Sequence, residues 1–256
     1  MQKEEKKFIS SDLMEGMTSI SALIKSIENN TNDRRILRVL FDREKLKPKS
    51  SEYRFLQSRS KSLCFELMLC DRSEIDNITV GNTHGGIVAE CTPRTIPRLS
   101  AESIRDNGVY FIMEGIEDPY NFGYAIRSLY ASGADGIIMG ERNWMGAAGV
   151  VARSSAGTSE LIELYVSDPL DAVNIFKSKN YKVICAGIRD SVSLYEADLQ
   201  KPLLVILGGE KRGISRNLLN AADSVVRIDY GNSFGGSLST AASAAIFAFE
   251  IFRVNR

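Results

Sequence analysis

The sequence predicts an α/β protein: a parallel sheet covered by helices, preceded by a smaller α/β domain. Three observations carry this. Beyond residue 108, short apolar runs alternate with longer helical stretches, the pattern of a parallel sheet with helices on both faces. Glycine and polar residues gather just after three of those runs, where ligands bind in open α/β sheets. Two of the six prolines fall in TPRTIPRLS, residues 92–100, which breaks the pattern between a front and a back half.

The elements come in this order. Residues 1–10 form a charged tail. Thr18 to Glu28 has Ile20, Leu23, Ile24 and Ile27 at helical spacing. Arg34 to Asp42 is a strand, KLKPKSS a loop, Glu52 to Ser62 a helix, and Phe65 to Cys70 and Gly85 to Cys91 two further strands. Beyond the linker come the strand VYFIME, a helix from Asn121 to Ser132, the strand GIIMG, a helix over Ala147 to Arg153 and the strand LIELYV. Asp168 and Pro169 suit the N-cap and first turn of a helix running to Lys179. The strands YKVICAG and PLLVILGG come next, then a short helix that Ser215 can cap, the strand SVVRID, and a last helix from Ser237 to Phe252. The predicted domains are 1–92 and 108–256, with 93–107 as the linker.

Composition excludes several chemistries. The 256 residues carry 32 basic and 32 acidic side chains. Residues 1–100 hold 17 basic and 14 acidic ones, and residues 101–256 hold 15 and 18, a slight bias of the front half toward a polyanion. No run of about 18 apolar residues exists, so no membrane span is expected. The N-terminus lacks the apolar stretch of a secretory signal. Cys64, Cys70, Cys91 and Cys185 form no CxxC pair, and His84 is the single histidine, so no metal site is expected. The cysteines read as reduced and mostly buried, which suits the cytoplasm. One histidine also leaves little room for Ser/His/Asp or Cys/His catalysis.

The three clusters carry the chemistry. In EDPYNFGYAIRSLYASGADGI, residues 117–137, Arg127 lies nearly two turns after Asn121 in an otherwise apolar helix. In LLVILGGEKRGIS, residues 203–215, Gly208 and Gly213 have the G-x-x-x-x-G spacing of a phosphate loop, but Ile214-Ser215 stands where such a loop needs Lys-Ser/Thr, which disfavours nucleotide hydrolysis. No G-x-G-x-x-G fingerprint comes after the first strand. In RIDYGNSFGGSLSTAASAAIFAFEIFR, residues 227–253, a glycine-rich loop runs into a helix opening with small residues.

In this order and spacing the clusters resemble the SpoU (TrmH-like) branch of the SPOUT methyltransferases. Asn121, Gly123, Arg127 and Gly133 fall in register with its first motif, Gly209, Glu210 and Gly213 with its second, and Ser237, Leu238 and Glu250 with its third. RSSAGTSELIEL resembles the segment between motifs, and the match spans residues 108–253. ISALIKSIENN, RRILRVLFD and GNTHGGIVAEC resemble the family's small RNA-binding domain, with His84 in the turn that closes it. The resemblance implies a deep trefoil knot around motifs two and three, a rare exception to unknotted topology. It also implies a homodimer with a catalytic pocket completed across a two-fold interface.

The implied activity is transfer of a methyl group from S-adenosylmethionine to a ribose 2′-oxygen of RNA, ribosomal RNA in particular. By the resemblance, Leu207, Gly208, Gly209, Gly213, Ile228, Ser237 and Leu238 bind the cofactor, and Asn121, Arg127, Glu210, Ser237 and Ser239 make up the catalytic set. An arginine keeps its proton at ordinary pH, so Arg127 is expected to hold the phosphate beside the target ribose rather than act as base. Glu210 is expected to pair with Arg127 or to order its loop. One position departs from the family: its third motif reads Ser-Leu-Asn, and this chain has Ser237-Leu238-Ser239. That departure keeps open a non-catalytic RNA-binding homologue acting in ribosome assembly. An unrelated nucleotide-binding α/β enzyme is the third reading.

Overall fold

The structure is a computed structural model that describes residues 12–79, 84–140, 147–209 and 211–256. The chain forms two compact units: residues 1–95 with 143–161, and residues 96–142 with 162–256.

In the first unit a four-stranded sheet has the order β1-β4-β2-β3, with β1 Leu13–Glu15, β2 Ile36–Asp42, β3 Glu66–Cys70 and β4 Ile87–Cys91. β4 runs antiparallel to both β1 and β2, and β2 is parallel to β3. Helix α1, Gly16–Glu28, buries Ile20, Leu23 and Ile24, the stripe its periodicity predicts. Helix α2, Ser50–Leu63, buries only Leu56. Its C-cap Cys64 is left-handed, with φ 56°. A third helix, α3 (Arg72–Ile78), is not anticipated by the sequence pattern. A capping box of Asp71 and Glu74 starts it, and Ile75 is its one buried residue, so hydrophobic period gives little sign of it. β1 is likewise unanticipated, being three residues long.

His84 has a partner that sequence proximity does not suggest. It is buried, its Nε2 lies 2.8 Å from Asp76 Oδ1, and the Gly86 N–H donates to its Nδ1 at 3.0 Å. The donor at Nδ1 makes that nitrogen the acceptor, so Nε2 carries the proton toward Asp76. This is the work of a turn residue.

The second unit is a seven-stranded, wholly parallel sheet with the order β7-β6-β5-β10-β8-β11-β9. The strands are β5 Val109–Glu114, β6 Gly136–Met139, β7 Glu163–Val166, β8 Lys182–Ala186, β9 Val192–Ser193, β10 Leu203–Gly208 and β11 Ser224–Arg227. β10 sits at the centre and is buried almost throughout, as a parallel strand covered on both faces must be. The helices are α4 Pro119–Ala131, α6 Pro169–Ser178, α7 Arg216–Ala221 and α8 Thr240–Val254. Asp168 caps α6 as expected, accepting from the N–H groups of Leu170 and Asp171. Tyr110, Phe176 and Tyr181 stack at the amino-terminal side of the sheet.

Three expectations are corrected. α4 starts at Pro119 rather than Asn121, because the Asp118 side chain accepts from the Tyr120 N–H at 3.0 Å and ends the preceding turn. α8 starts at Thr240 rather than Ser237, and its cap is Ser239, whose hydroxyl accepts from the Ala242 N–H. Ser215 precedes α7 but makes no side-chain cap, its own N–H donating to Glu114 Oε2 at 3.0 Å instead. The first unit also takes in a segment that lies in the chain between β6 and β7. Helix α5 (Ala148–Ser154) belongs to the first unit, where Ala152 joins the core of Met14, Ile20, Leu23 and Phe41.

Candidate active site

The carboxyl ends of β8, β10 and β11 open into one cavity of about 470 Å³. Its walls include apolar side chains (Leu207, Ile214, Leu219, Ile228, Leu238, Phe247), and its polar side chains are Arg189, Arg227, Tyr230, Ser237, Thr240 and Ser243. The size and the mixed lining suit a nucleoside-sized ligand. All seven predicted cofactor residues, Leu207, Gly208, Gly209, Gly213, Ile228, Ser237 and Leu238, line it.

Two glycines make the floor possible. A Cβ on Gly209 would lie 2.2 Å from the Gly115 carbonyl oxygen, so the loops after β10 and β5 touch backbone to backbone. A Cβ on Gly208 would lie 2.6 Å from the Gly213 carbonyl carbon, because the turn folds back across the strand end. That turn closes on itself, with the Gly213 N–H donating to the Gly209 carbonyl at 3.1 Å and Gly213 at φ +64°. Lys211 on its tip pairs with Glu117 in the loop after β5.

Charge around the cavity is ordered from the sheet edge. Arg227 donates to Asp229, and Asp229 also accepts from the Ser193 hydroxyl. The Ser193 hydrogen bond, then the Arg227 guanidinium, holds the Asp229 carboxyl below the usual carboxylate range. Behind the cavity, burial pushes the Cys185 thiol up to about 12, which leaves it protonated and unreactive at neutral pH. Among the described residues no His/Cys/Asp/Glu group could hold a metal, and no helix is long and apolar enough to cross a membrane.

The predicted catalytic residues are only partly brought together. Ser237 lines the cavity and Ser239 stands beside it as the cap of α8. Asn121 is half-buried in the first turn of α4, and Arg127 lies on that helix's exposed face with Tyr120 and Tyr124. Neither Asn121 nor Arg127 is among the residues lining the cavity. Glu210 lies outside the described residues. Sequence reasoning missed Thr240, Ile214 and Phe247 as lining residues. The small-residue opening of the last helix is the signal that could have found Thr240.

Comparison with known proteins gives the family. The profile of the SpoU rRNA Methylase family matches residues 108–249, and that of the RNA 2′-O ribose methyltransferase substrate-binding region matches residues 13–97. The 23S rRNA (guanosine-2′-O-)-methyltransferase RlmB of Shewanella oneidensis is 26% identical over 252 residues, 96% of this chain and 98% of that protein. The RlmB of a Burkholderia species is 24% identical over 94% of this chain and 96% of its own length. An AdoMet-bound rRNA methyltransferase from Sinorhizobium meliloti has the same fold, with a TM-score of 0.76 at 19% identity over 94% of this chain and 87% of that one. With a parallel sheet whose strand ends gather the second and third motif clusters on one cavity, and a family profile covering more than half its length, the chain belongs to the SpoU rRNA methylase family.

Proposed function

We propose that this protein transfers a methyl group from S-adenosylmethionine to a ribose 2′-oxygen of ribosomal RNA. The observation that carries the reading is the gathering of all seven anticipated cofactor positions on one cavity at the carboxyl ends of the central strands. When bound there, the cofactor supplies a methyl group already activated on sulfonium sulfur. The protein's work is then to position and to exclude water. Leu207, Ile228 and Leu238 supply the apolar walls, and the glycines Gly208, Gly209 and Gly213 bring bare backbone to the cavity surface, where it would meet the ligand. Arg127 grips the phosphate next to the target ribose and orients its 2′-hydroxyl, with Asn121, Glu210, Ser237 and Ser239 completing the set.

The same reading makes the protein a homodimer. Tyr120 and Tyr124 on α4, and Phe249 and Phe252 on the adjoining α8, are large and exposed, an apolar-aromatic face suited to a second copy. Arg127 shares that face, so it would serve the cavity of the other subunit. The reading includes a trefoil knot through segments 203–215 and 227–253, and residues 108–256 as the catalytic domain with 1–92 meeting RNA. Free cysteines, of which Cys70, Cys91 and Cys185 are buried and Cys64 is exposed, and an RNA substrate favour the cytoplasm.

Ser239 favours a second reading, an RNA-binding homologue without catalysis. Its position as helix cap tempers that, since Asn and Ser cap helices about equally well. Calorimetric titration with S-adenosylhomocysteine decides. Micromolar binding by both the native protein and Arg127→Ala, with methyl transfer to ribosomal RNA lost only in the variant, is the expected result. No binding by the native protein would overturn the enzyme reading.

A further inference from the structure

We infer that Thr240 is a positioning residue for the methyl-donor cavity, its hydroxyl setting the register of helix α8 against the end of strand β10; this rests on the donor reading proposed above. Thr240 is 4% exposed and lines the cavity. Its hydroxyl donates to the Gly208 carbonyl at 3.0 Å. Gly208 is the last residue of β10, pairs in register with Glu114 of β5, and lines the same cavity. One side-chain hydrogen bond therefore joins two walls of the cavity, the floor at Gly208–Gly209 and the rim at Ser237–Leu238.

Along its length α8 packs on α4, but few side-chain groups tie its amino-terminal end to the cavity. The segment before α8 is exposed over residues 231–237, and its described tie to the cavity wall is the Leu238 N–H donating to the Tyr230 hydroxyl at 3.3 Å. The first two turns of α8 carry Ala241, Ala242, Ser243, Ala244 and Ala245, short side chains that key weakly into a neighbouring surface. Larger buried groups begin only at Phe247. Ser239 fixes the backbone direction along the helix axis by capping Ala242. Thr240, the next residue, fixes the helix laterally. Without its hydroxyl, this run of small side chains is free to shift, and the cavity is no longer preshaped for its ligand.

The test compares Thr240→Val and Thr240→Ser in the full-length protein, measuring S-adenosylhomocysteine affinity by calorimetry, the KM and kcat for methyl transfer, and the melting temperature. Thr240→Val is expected to weaken binding and raise the cofactor KM by roughly tenfold, the scale of one buried hydrogen bond. kcat at saturating donor should change less than about threefold on the same scale. Thr240→Ser, which keeps the hydroxyl, should stay within about twofold of the native affinity. A Thr240→Val protein that binds as well as the native one overturns the inference. So does a folded Thr240→Ser protein as weak as Thr240→Val, since the methyl group and not the hydroxyl would then matter. If Thr240→Val does not fold, the Ser variant alone decides. Absence of binding by the native protein instead marks failure of the donor reading.

Discussion

Two excursions of the chain, residues 147–161 in the first unit and the 209–213 turn in the second, make a comparison in how backbone is brought close to its neighbours. Each depends on a glycine that admits no side chain. A Cβ on Gly157, at φ +80°, would lie 2.5 Å from the Ala22 Cβ and 3.1 Å from the Ser19 Cα, so the segment lies directly on helix α1. Just beyond Gly157 the chain takes charge into a core: Glu160 and Arg34 are each 3% exposed, with Glu160 Oε2 3.3 Å from Arg34 Nε, and Asn32 donating to the same carboxylate. Beyond Gly209 the chain instead turns back at the edge of a cavity, closed by the Gly213 N–H donating to the Gly209 carbonyl. The first arrangement holds a unit together by pairing buried charges. The second leaves backbone available for a ligand. The same device thus serves stability in one unit and binding in the other, and the difference lies in what the neighbouring residues present.

The sharpest way to break the comparison is Glu160→Ala. It leaves the Arg34 guanidinium buried, with Asp12 Oδ1, 3.6 Å away, as the carboxylate still near it. We expect a loss of about 3–5 kcal/mol in stability, read by denaturant titration, with S-adenosylhomocysteine affinity unchanged in the folded protein. An unchanged midpoint would mean that Asp12 takes over the ion pair. Gly209→Ala should act on binding as well as on stability. Its Cβ meets backbone at Gly115, so about 1–3 kcal/mol is lost, and cofactor affinity should fall more than about tenfold because the floor itself is displaced. Retention of affinity would show that the two loops can part without disturbing the cavity. The smallest effect belongs to the exposed helix cap. Ser239→Ala should cost about 1 kcal/mol and Ser239→Asn only a few tenths, both read from melting temperature. A gain in methyl transfer by Ser239→Asn at constant stability would separate a catalytic contribution of the family's amide from its capping one.

The sheet of the second unit was legible because its strands are buried on both faces, and runs such as LLVIL (residues 203–207) and VYFIM (109–113) have no other explanation. Helix α5 was legible as a helix but not by its partner. It lies in the chain between β6 and β7, yet packs against β1, and nothing in Val151 or Ala152 says which core they enter. At the start of α8 the residues Ser237, Ser239 and Thr240 can each accept or donate a hydrogen bond at a helix end. Only the folded backbone assigns Ser239 to the Ala242 N–H and Thr240 to the Gly208 carbonyl. The cavity residues came from family resemblance rather than from spacing. A Gly-Gly turn is by itself an ordinary turn, and the contact that gives Gly209 its meaning is with Gly115, 94 positions earlier.

The membership of residues 147–161 in the first unit also bears on how the chain is made. A ribosome releases residues in order, and domains usually fold as they emerge. Here the amino-terminal unit, though synthesised first, cannot place Ala152 in its core or set Glu160 against Arg34 until residue 161 has left the exit tunnel. By then β5, α4 and β6 of the other unit are already outside. The two units are therefore born interleaved: the first finishes only when the second is well begun, and the cavity is completed last, when Thr240 and Phe247 arrive.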